Sequence, residues 1–227
     1  MTVWQSLTGY RFSVDAVILA GHVFPRDGDR VLDLGTGCGI IPLILASKFP
    51  AVTLWGIELQ ARLAAVAALN VRDNGLQDRI HIRCRDFRKI HLSCLGRSMD
   101  VVVSNPPYRR VASGRINANS QRALARHEIK AKLEDLLSAA CRVLGPGGRF
   151  MTLYPADRLV DVISAMRAHG IEPKWLRMVH SSAGGKAKLF LVEGLKGARP
   201  AMVVAPPLHI YAGKGQYSEE MERMFDP

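Results

Sequence analysis

The feature that most limits the fold of this sequence is a short apolar run that ends in a glycine-rich turn and continues as an apolar helical pattern. The run covers residues 31–34, glycines follow at positions 35, 37 and 39, and apolar side chains recur at helical spacing over residues 40–48. Glycines let a backbone approach a ligand closely, and the first turn of a helix has unpaired N–H groups. A strand, a tight turn and a helix in this order predict the first unit of an open α/β sheet.

The spacing of these glycines and the residue before them restrict the ligand of the turn. A dinucleotide-binding turn would have its third glycine at position 40, which is Ile40 here. Asp33 precedes the first glycine, and its carboxylate would repel a phosphate and favour a cationic or hydroxyl-bearing ligand. S-adenosylmethionine, which carries a sulfonium and an ammonium charge, is a ligand of this kind.

Acidic residues follow two further strand-like runs. Residues 52–57 lead to Glu58, nineteen positions after Gly39, where a carboxylate can accept hydrogen bonds from both ribose hydroxyls. Residues 80–82 lead to Asp86, which is placed to accept from the amino group of the cofactor adenine. Taken singly, Glu58 is equally a solvated strand-end acid and Asp86 a helix cap. Taken together they predict one site, because ligands of open α/β sheets bind at the carboxyl ends of the strands.

A fourth apolar run, residues 101–103, is followed by the Asn105 loop, which reads Asn105-Pro106-Pro107-Tyr108. Each proline fixes its own φ and restricts the residue before it, so this loop is rigid. The Asn105 side-chain oxygen and the Pro106 carbonyl can each accept one hydrogen of an NH2 group, while Tyr108 stacks on its plane. Adenine, cytosine and a glutamine side chain all fit. The alternative without chemistry is a proline-rich turn that only ends the strand.

The charge of the chain indicates a polyanionic partner. Basic residues outnumber acidic ones by 31 to 20, which gives a net charge of +11. Arginines crowd the stretch after the Asn105 loop, where they would contact a nucleic-acid backbone beside the base pocket: Arg109, Arg110, Arg115, Arg122 and Arg126. A second basic group flanks Asp86 and comprises Arg83, Arg85, Arg88 and Lys89. The alternative is a solvated basic face.

Length and composition predict one α/β domain without a metal or a membrane segment. With 227 residues and 48% hydrophobic content, the chain can bury one sizeable core. Strand-like and helix-like runs alternate, which favours a mainly parallel sheet with helices on both faces. The four cysteines lack C-x-x-C spacing, so we expect neither structural zinc nor disulfides. No leader peptide or bilayer-spanning run is found, and we expect a cytoplasmic protein.

The sequence resembles the class I S-adenosylmethionine-dependent methyltransferases that act on amino nitrogens, and among them the bacterial tRNA(Val) adenine-N6 methyltransferases. The resemblance is carried by residues 10–20, the Asn105 loop, residues 113–115 and residues 125–128, and it extends to residues 217–220. It implies a Rossmann-like, mainly parallel seven-stranded sheet with an antiparallel edge strand and helices on both faces. It also implies one methyltransferase domain over residues 1–227, whose first 25 residues form a helical cap over the cofactor site.

The same resemblance assigns roles to individual residues. It implies that S-adenosylmethionine binds to Asp33, Gly35, Gly37, Gly39, Glu58 and Asp86, and that Phe12 and Asp15 cover its methionine end. Asn105, Pro106 and Tyr108 would act on the target base, and the five arginines after them would bind RNA.

The implied reaction is methylation of the exocyclic N6 amino group of an adenine in RNA, in particular an anticodon-loop adenosine of a tRNA. One alternative is a glutamine N-methyltransferase that acts on a protein such as a release factor. Those enzymes carry a helical domain of many tens of residues before the glycine turn, whereas 32 residues precede Asp33 here. Another alternative is a non-enzymatic RNA-binding module on a methyltransferase fold. Binding of S-adenosylmethionine would separate this module from an enzyme.

Overall fold

The computed structural model describes residues 1–5, 12–106, 133–213 and 215–225. Its first half contains helices and strands in alternation: α1 (Val14–Gly21), β1 (Arg30–Leu34), α2 (Ile40–Lys48), β2 (Thr53–Glu58), α3 (Ala61–Asp73), β3 (Ile80–Cys84), α4 (Leu92–Leu95) and β4 (Met99–Ser104). The predictions for Tyr108 and for the five arginines that follow it lie outside the described residues.

The second half begins with a helix that covers residues 133–143 of the described chain, α5. It continues with β5 (Leu144–Pro155), α6 (Leu159–Ala168), β6 (Ile171–His180), β7 (Ala187–Lys196), β8 (Val203–His209), β9 (Tyr211–Gly213), β10 (Gln216–Tyr217) and α7 (Glu219–Phe225). Short 3-10 turns follow β3 at Phe87–Lys89 and β5 at Ala156–Arg158.

Eight of the described strands form one sheet in the order β3-β2-β1-β4-β5-β7-β6-β8. All neighbours are parallel except β7, which is antiparallel to both β5 and β6. The predicted class, a mainly parallel Rossmann-like sheet with one antiparallel strand, is confirmed. The prediction of seven strands was wrong, because β8 adds an eighth strand beside β6.

The prediction that the antiparallel strand forms an edge was also wrong. Strand β7 follows β6 through a short hairpin, so it runs in the opposite direction, and it then pairs with β5 on its other side. The antiparallel strand is therefore interior, and β3 and β8 are the two outermost strands of this sheet among the described residues.

Helices cover both faces of the sheet because the strand residues alternate between two cores. In β4, Val101 and Val103 pack with α1, α2 and α7, whereas Val102 packs with α5 and α6 on the other face. All three valines are at most 1% exposed. No helix among the described residues is long and apolar enough to cross a bilayer.

The register of the parallel strands brings the predicted site residues to one edge. Leu34 pairs with Ile57, so the first glycine of the turn lies beside Glu58, and Glu58 pairs with Cys84 near the end of β3. On the other side of β1, Asp33 pairs with Val103 in β4, which places Asn105 beside the turn. The carboxyl ends of four strands thus meet where a ligand of an α/β sheet binds.

Candidate cofactor and base site

The glycine turn after β1 has a backbone that side chains rarely adopt. Gly35 has φ +80° and Gly39 has φ +84°, both in the left-handed region. A Cβ atom on Gly35 would meet nothing within 4 Å, so this side of the turn is open, whereas one on Gly39 would lie 3.2 Å from the Cβ of Ala67 in α3. Gly35 therefore exposes backbone toward a ligand, and Gly39 allows close packing of α3.

Glu58 fixes the turn from the end of β2. One carboxylate oxygen accepts the Gly37 N–H at 2.9 Å, and the other accepts the Gln60 N–H at 2.9 Å. The residue is buried, with 6% exposure. Each carboxylate oxygen has a second lone pair, so Glu58 can still accept from ligand hydroxyls. The bond to the glycine turn was not predicted from the sequence, because it depends on the register of β1 and β2.

Asp33 is a buried acid behind the turn whose two carboxylate oxygens have no hydrogen-bond partner among the described residues. The pKa of Asp33 is raised from 3.8 to about 7, mainly by burial and to a lesser extent by the charge of Glu58, while the nearby Thr36 hydroxyl acts in the opposite direction. An unpartnered acceptor of this kind is stabilised by a cationic or hydroxyl-bearing ligand.

A cavity of about 380 Å³ at this edge brings five of the predicted site residues together: Gly35, Gly37, Glu58, Asp86 and Asn105. It combines acceptor groups, exposed turn backbone and apolar side chains, which is typical of a small-molecule site. Its lining includes Gly35, Gly37, Glu58, Leu59, Gln60, Leu63, Asp86, Phe87, Arg88, Asn105 and Asp135. Asp33 does not line the cavity, and it lies in β1 beneath the turn.

Asn105 contributes a buried acceptor to the same cavity. Its Oδ1 has no hydrogen-bond partner among the described residues. Two buried hydroxyls fix the strand end that carries it, because Ser104 donates to the Leu34 carbonyl at 2.7 Å and Thr152 donates to the Ser104 carbonyl at 2.8 Å. Sequence reasoning missed both hydroxyls. Their signal was a small hydroxyl residue directly after or within an apolar run, Ser104 after residues 101–103 and Thr152 within residues 150–153.

A family model for the methyltransferase small domain matches residues 12–158, more than half of the chain. This chain belongs to the methyltransferase small domain family. A Porphyromonas gingivalis protein named tRNA1(Val) (adenine(37)-N6)-methyltransferase is 33% identical, covering 98% of this chain and 90% of the relative. A Bacteroides fragilis protein of the same name is 29% identical, covering 85% and 80%. The predicted family is therefore confirmed.

The fold of this methyltransferase family member is also similar to that of a solved structure. A predicted O-methyltransferase from Agrobacterium tumefaciens matches with a TM-score of 0.75 at 19% identity, covering 92% of this chain and 94% of that one. At this identity the likeness bears on the fold alone.

Asp86 lies where the sequence predicted, at the end of β3, and it is engaged by Arg88. The carboxylate accepts the Arg88 backbone N–H at 3.0 Å and forms a two-pronged pair with the guanidinium, at 2.6 Å to 3.0 Å. These bonds lower the pKa of Asp86. Asp86 is thus the cap of the 3-10 turn. It also lines the cavity. Its contact with a cofactor adenine remains a prediction.

Phe12 and Asp15 are not part of the described lining of this cavity. Phe12 instead lines a second cavity of about 340 Å³, together with Val17, Ile40 and Ile44. Helix α1 packs its apolar residues against the core beside α2 and α7. The covering role of Phe12 and Asp15 therefore rests on the resemblance and stays a prediction, as does the helical cap of residues 1–25.

The second basic group lies on the outer strand of the sheet. Arg83 and Arg85 are exposed at the end of β3, which is the outermost described strand on that side of the sheet. Among the described residues no cluster of three or more metal-binding side chains occurs, and the cysteines there are free.

Proposed function

We propose that this protein is an S-adenosylmethionine-dependent methyltransferase that methylates the N6 amino group of adenosine 37 in a tRNA. The observation that carries the proposal is the Asn105 Oδ1, which has no partner among the described residues and lies in one cavity with the glycine turn and Glu58. An acceptor fixed there suits an NH2 group presented to a cofactor on the turn. The names of the relatives support adenine 37 of tRNA1(Val) as the target.

The residues of the site fit S-adenosylmethionine. Gly35 leaves open space beside its backbone, and Glu58 has lone pairs left for ribose hydroxyls. Asp33 is a buried acceptor with no hydrogen-bond partner in the described part of the chain. Asp33, Gly35, Gly37, Gly39, Glu58 and Asp86 would hold the cofactor. When bound, it supplies an electrophilic methyl group.

Asn105 and Pro106 would activate the amino group by accepting its two hydrogens. The lone pair of an adenine N6 is delocalised into the ring, so the nitrogen is a poor nucleophile in its planar form. Acceptance of both hydrogens by the Asn105 oxygen and the Pro106 carbonyl favours a pyramidal nitrogen and directs its lone pair toward the methyl donor. Positioning and electrostatics then supply most of the rate.

No strong general base is required before attack. The nitrogen becomes acidic once it carries the new methyl group, so its proton can leave to water afterwards. Tyr108 would stack on the base. The target must be unstacked to enter the cavity, and an anticodon-loop adenosine is already unpaired, so this cost is small.

The proposal is tested by incubating the protein with S-adenosylmethionine and unmodified tRNA1(Val), digesting the RNA and quantifying N6-methyladenosine by mass spectrometry. The matched control is the same transcript with guanosine at position 37. We expect methylation of the first transcript and none of the second. Equal methylation of both would contradict the position, and methylated glutamine in a parallel release-factor reaction with unmodified tRNA would contradict the substrate class.

A further inference from the structure

The site lies at the carboxyl ends of the parallel strands, and this side of the sheet continues past β4 to strands β7, β6 and β8. Strands β6 and β8 run parallel to β4, so His180 and His209 end on the same edge as Asn105. Strand β7 begins there. Since neighbouring strands lie about 4.8 Å apart, β7 is about 10 Å and β6 about 14 Å from β4 across the sheet. Val192 is level with Ser104, and the start of β7 lies five residues beyond it, about 16 Å further along the strand. We call residues 180–188 with Tyr211 and Tyr217 the hairpin rim.

The hairpin rim is basic and has no acidic residue. The sequence from His180 to Val192 contains no Asp or Glu, and neither does the sequence from Val203 to Ser218. Lys186 and Lys188 are exposed at the start of β7. The neighbouring 3-10 turn after β5 adds one exposed acid, Asp157, and one base, Arg158. Helix α7 follows Tyr217 with three acids, of which Glu220 pairs with Arg177 and Glu219 with Arg223. The positive charge of the rim therefore comes from the two lysines on the turn.

Hydrogen bonds fix the shape of the hairpin rim. The Gly185 N–H donates to the Ser182 carbonyl at 3.3 Å, and the Nδ1 of His180 lies 2.7 Å from the Gly185 carbonyl oxygen. The Tyr211 N–H donates to the Ser181 carbonyl at 2.9 Å, which ties the start of β9 to the hairpin. The two lysines are therefore presented on a closed turn, and binding would order little additional backbone.

The hairpin rim also offers an aromatic surface. Tyr211 is 36% exposed and stacks on Tyr217, with ring centroids 5.4 Å apart and an interplanar angle of 11°. A ring that is held by one neighbour and open on the surface can stack with an unpaired base.

We propose that the hairpin rim binds the RNA on one side of the target base, with Lys186 and Lys188 on phosphates and Tyr211 on a base. This inference rests on the proposed function and assigns part of the surface that binds the RNA substrate. Positive charge, an exposed aromatic ring and continuity with the base site favour RNA over an acidic protein, which would not require a stacking ring.

The test compares two double charge reversals. Lys186→Glu/Lys188→Glu alters the hairpin rim, and Arg26→Glu/Arg199→Glu makes the same change of charge at two exposed residues on the opposite edge, before β1 and after β7. We expect the first variant to raise the tRNA Kd and KM at least tenfold, with kcat and the cofactor Kd unchanged. Its salt slope should fall by about 2. The control should stay within twofold of wild type.

Tyr211 is tested separately with Tyr211→Ala and Tyr211→Phe. The alanine variant should weaken tRNA binding at least fivefold without a change in salt slope, and the phenylalanine variant should bind like wild type. An unchanged Kd in both the lysine and the Tyr211→Ala variants, or an equal loss in the opposite-edge control, would overturn the proposal. Because tRNA binding by filter retention is measured apart from methylation, a wild-type protein that binds tRNA through this rim and methylates nothing would reject the proposed function alone.

Discussion

At the residue scale, Asp33 is a site where function and stability oppose each other. Its carboxylate is buried and unpartnered in the described structure, and its pKa is raised to about 7. The folded protein therefore binds a proton more tightly there than the unfolded chain, so stability is lost as the pH rises from 3.8 toward 7. A rise of about three units corresponds to a penalty on the order of 4 kcal/mol.

Asp33→Asn removes this penalty. We expect the cofactor-free variant to melt at least about 5 °C above wild type at pH 8, and the difference to shrink toward zero near pH 4. S-adenosylmethionine should bind the variant more weakly, since the cationic ligand loses its acceptor charge. Thermal melts from pH 4 to 8 and calorimetry measure both effects. A variant that is less stable at every pH would contradict this account of Asp33.

At the element scale, hydrogen bonds hold the first five residues against the C-terminal part of α3, and one of the same side chains also contacts the glycine turn. The Asn70 side chain accepts the Trp4 N–H at 2.7 Å, donates to the Trp4 carbonyl at 3.0 Å and donates to the Cys38 carbonyl at 2.9 Å. One helical turn later, Asn74 makes the same pair of bonds with Thr2 but does not reach the turn. Asn70 thus positions the turn as well as the N-terminal segment.

The two asparagines form a matched pair of variants. Asn70→Ala should raise the Kd for S-adenosylmethionine about tenfold, because the Cys38 carbonyl loses its donor and the buried turn loosens. Asn74→Ala removes the bonds to Thr2 and one bond to the Asn70 carbonyl but none to the glycine turn, and it should leave that Kd within twofold of wild type. Calorimetry decides between them. Equal effects of the two substitutions would mean that Asn70 acts through the N-terminal segment and not through the turn.

A buried histidine joins α1, β6 and α7. The Nδ1–H of His22 donates to the Ile18 carbonyl at 2.8 Å, and its Nε2 accepts from Arg177 at 2.8 Å, while Arg177 pairs with Glu220 of α7 at 2.5 Å. Burial lowers the pKa of His22 below 6.5, and the charge of Arg177 lowers it further. Protonation would remove the acceptor and place two cations in contact.

The protein should therefore lose stability as the pH falls below 6.5, since the unfolded chain binds a proton at His22 before the folded protein does. His22→Gln keeps a polar side chain there without a titratable group. We expect urea unfolding between pH 7.5 and 5 to show a steeper loss for wild type than for this variant. Parallel curves for the two proteins would contradict the role of His22.

The structure shows which elements a local pattern can predict. Strands β1 to β4, which carry or lead to Asp33, Glu58, Asp86 and Asn105, were predictable, because an apolar run followed by a polar residue indicates a buried strand and its end. The eighth strand was not fully predictable, since Pro206 and Pro207 interrupt its pattern. Val203–His209 forms a strand because it lies at an edge, where a proline that cannot donate is tolerated.

At the scale of the whole molecule, one edge of the sheet concentrates the function. The glycine turn, Glu58, Asn105 and the hairpin rim all lie at the carboxyl ends of the parallel strands. The sequence predicted this edge because it predicted parallel strands. It did not predict the hydroxyl of Ser104 or the side chain of Asn70 as supports, because both act across about 30 to 70 residues of sequence.

The central claim is that Asn105 presents a fixed acceptor to the amino group and takes no part in cofactor binding. It is tested most directly by single-turnover methylation of unmodified tRNA1(Val) with Asn105→Ala at saturating S-adenosylmethionine. The cofactor Kd is measured by calorimetry on the same preparation. We expect the rate to fall at least about 100-fold with the Kd within twofold of wild type. A rate within threefold of wild type, or a loss of cofactor affinity that accounts for the slower rate, would contradict the account.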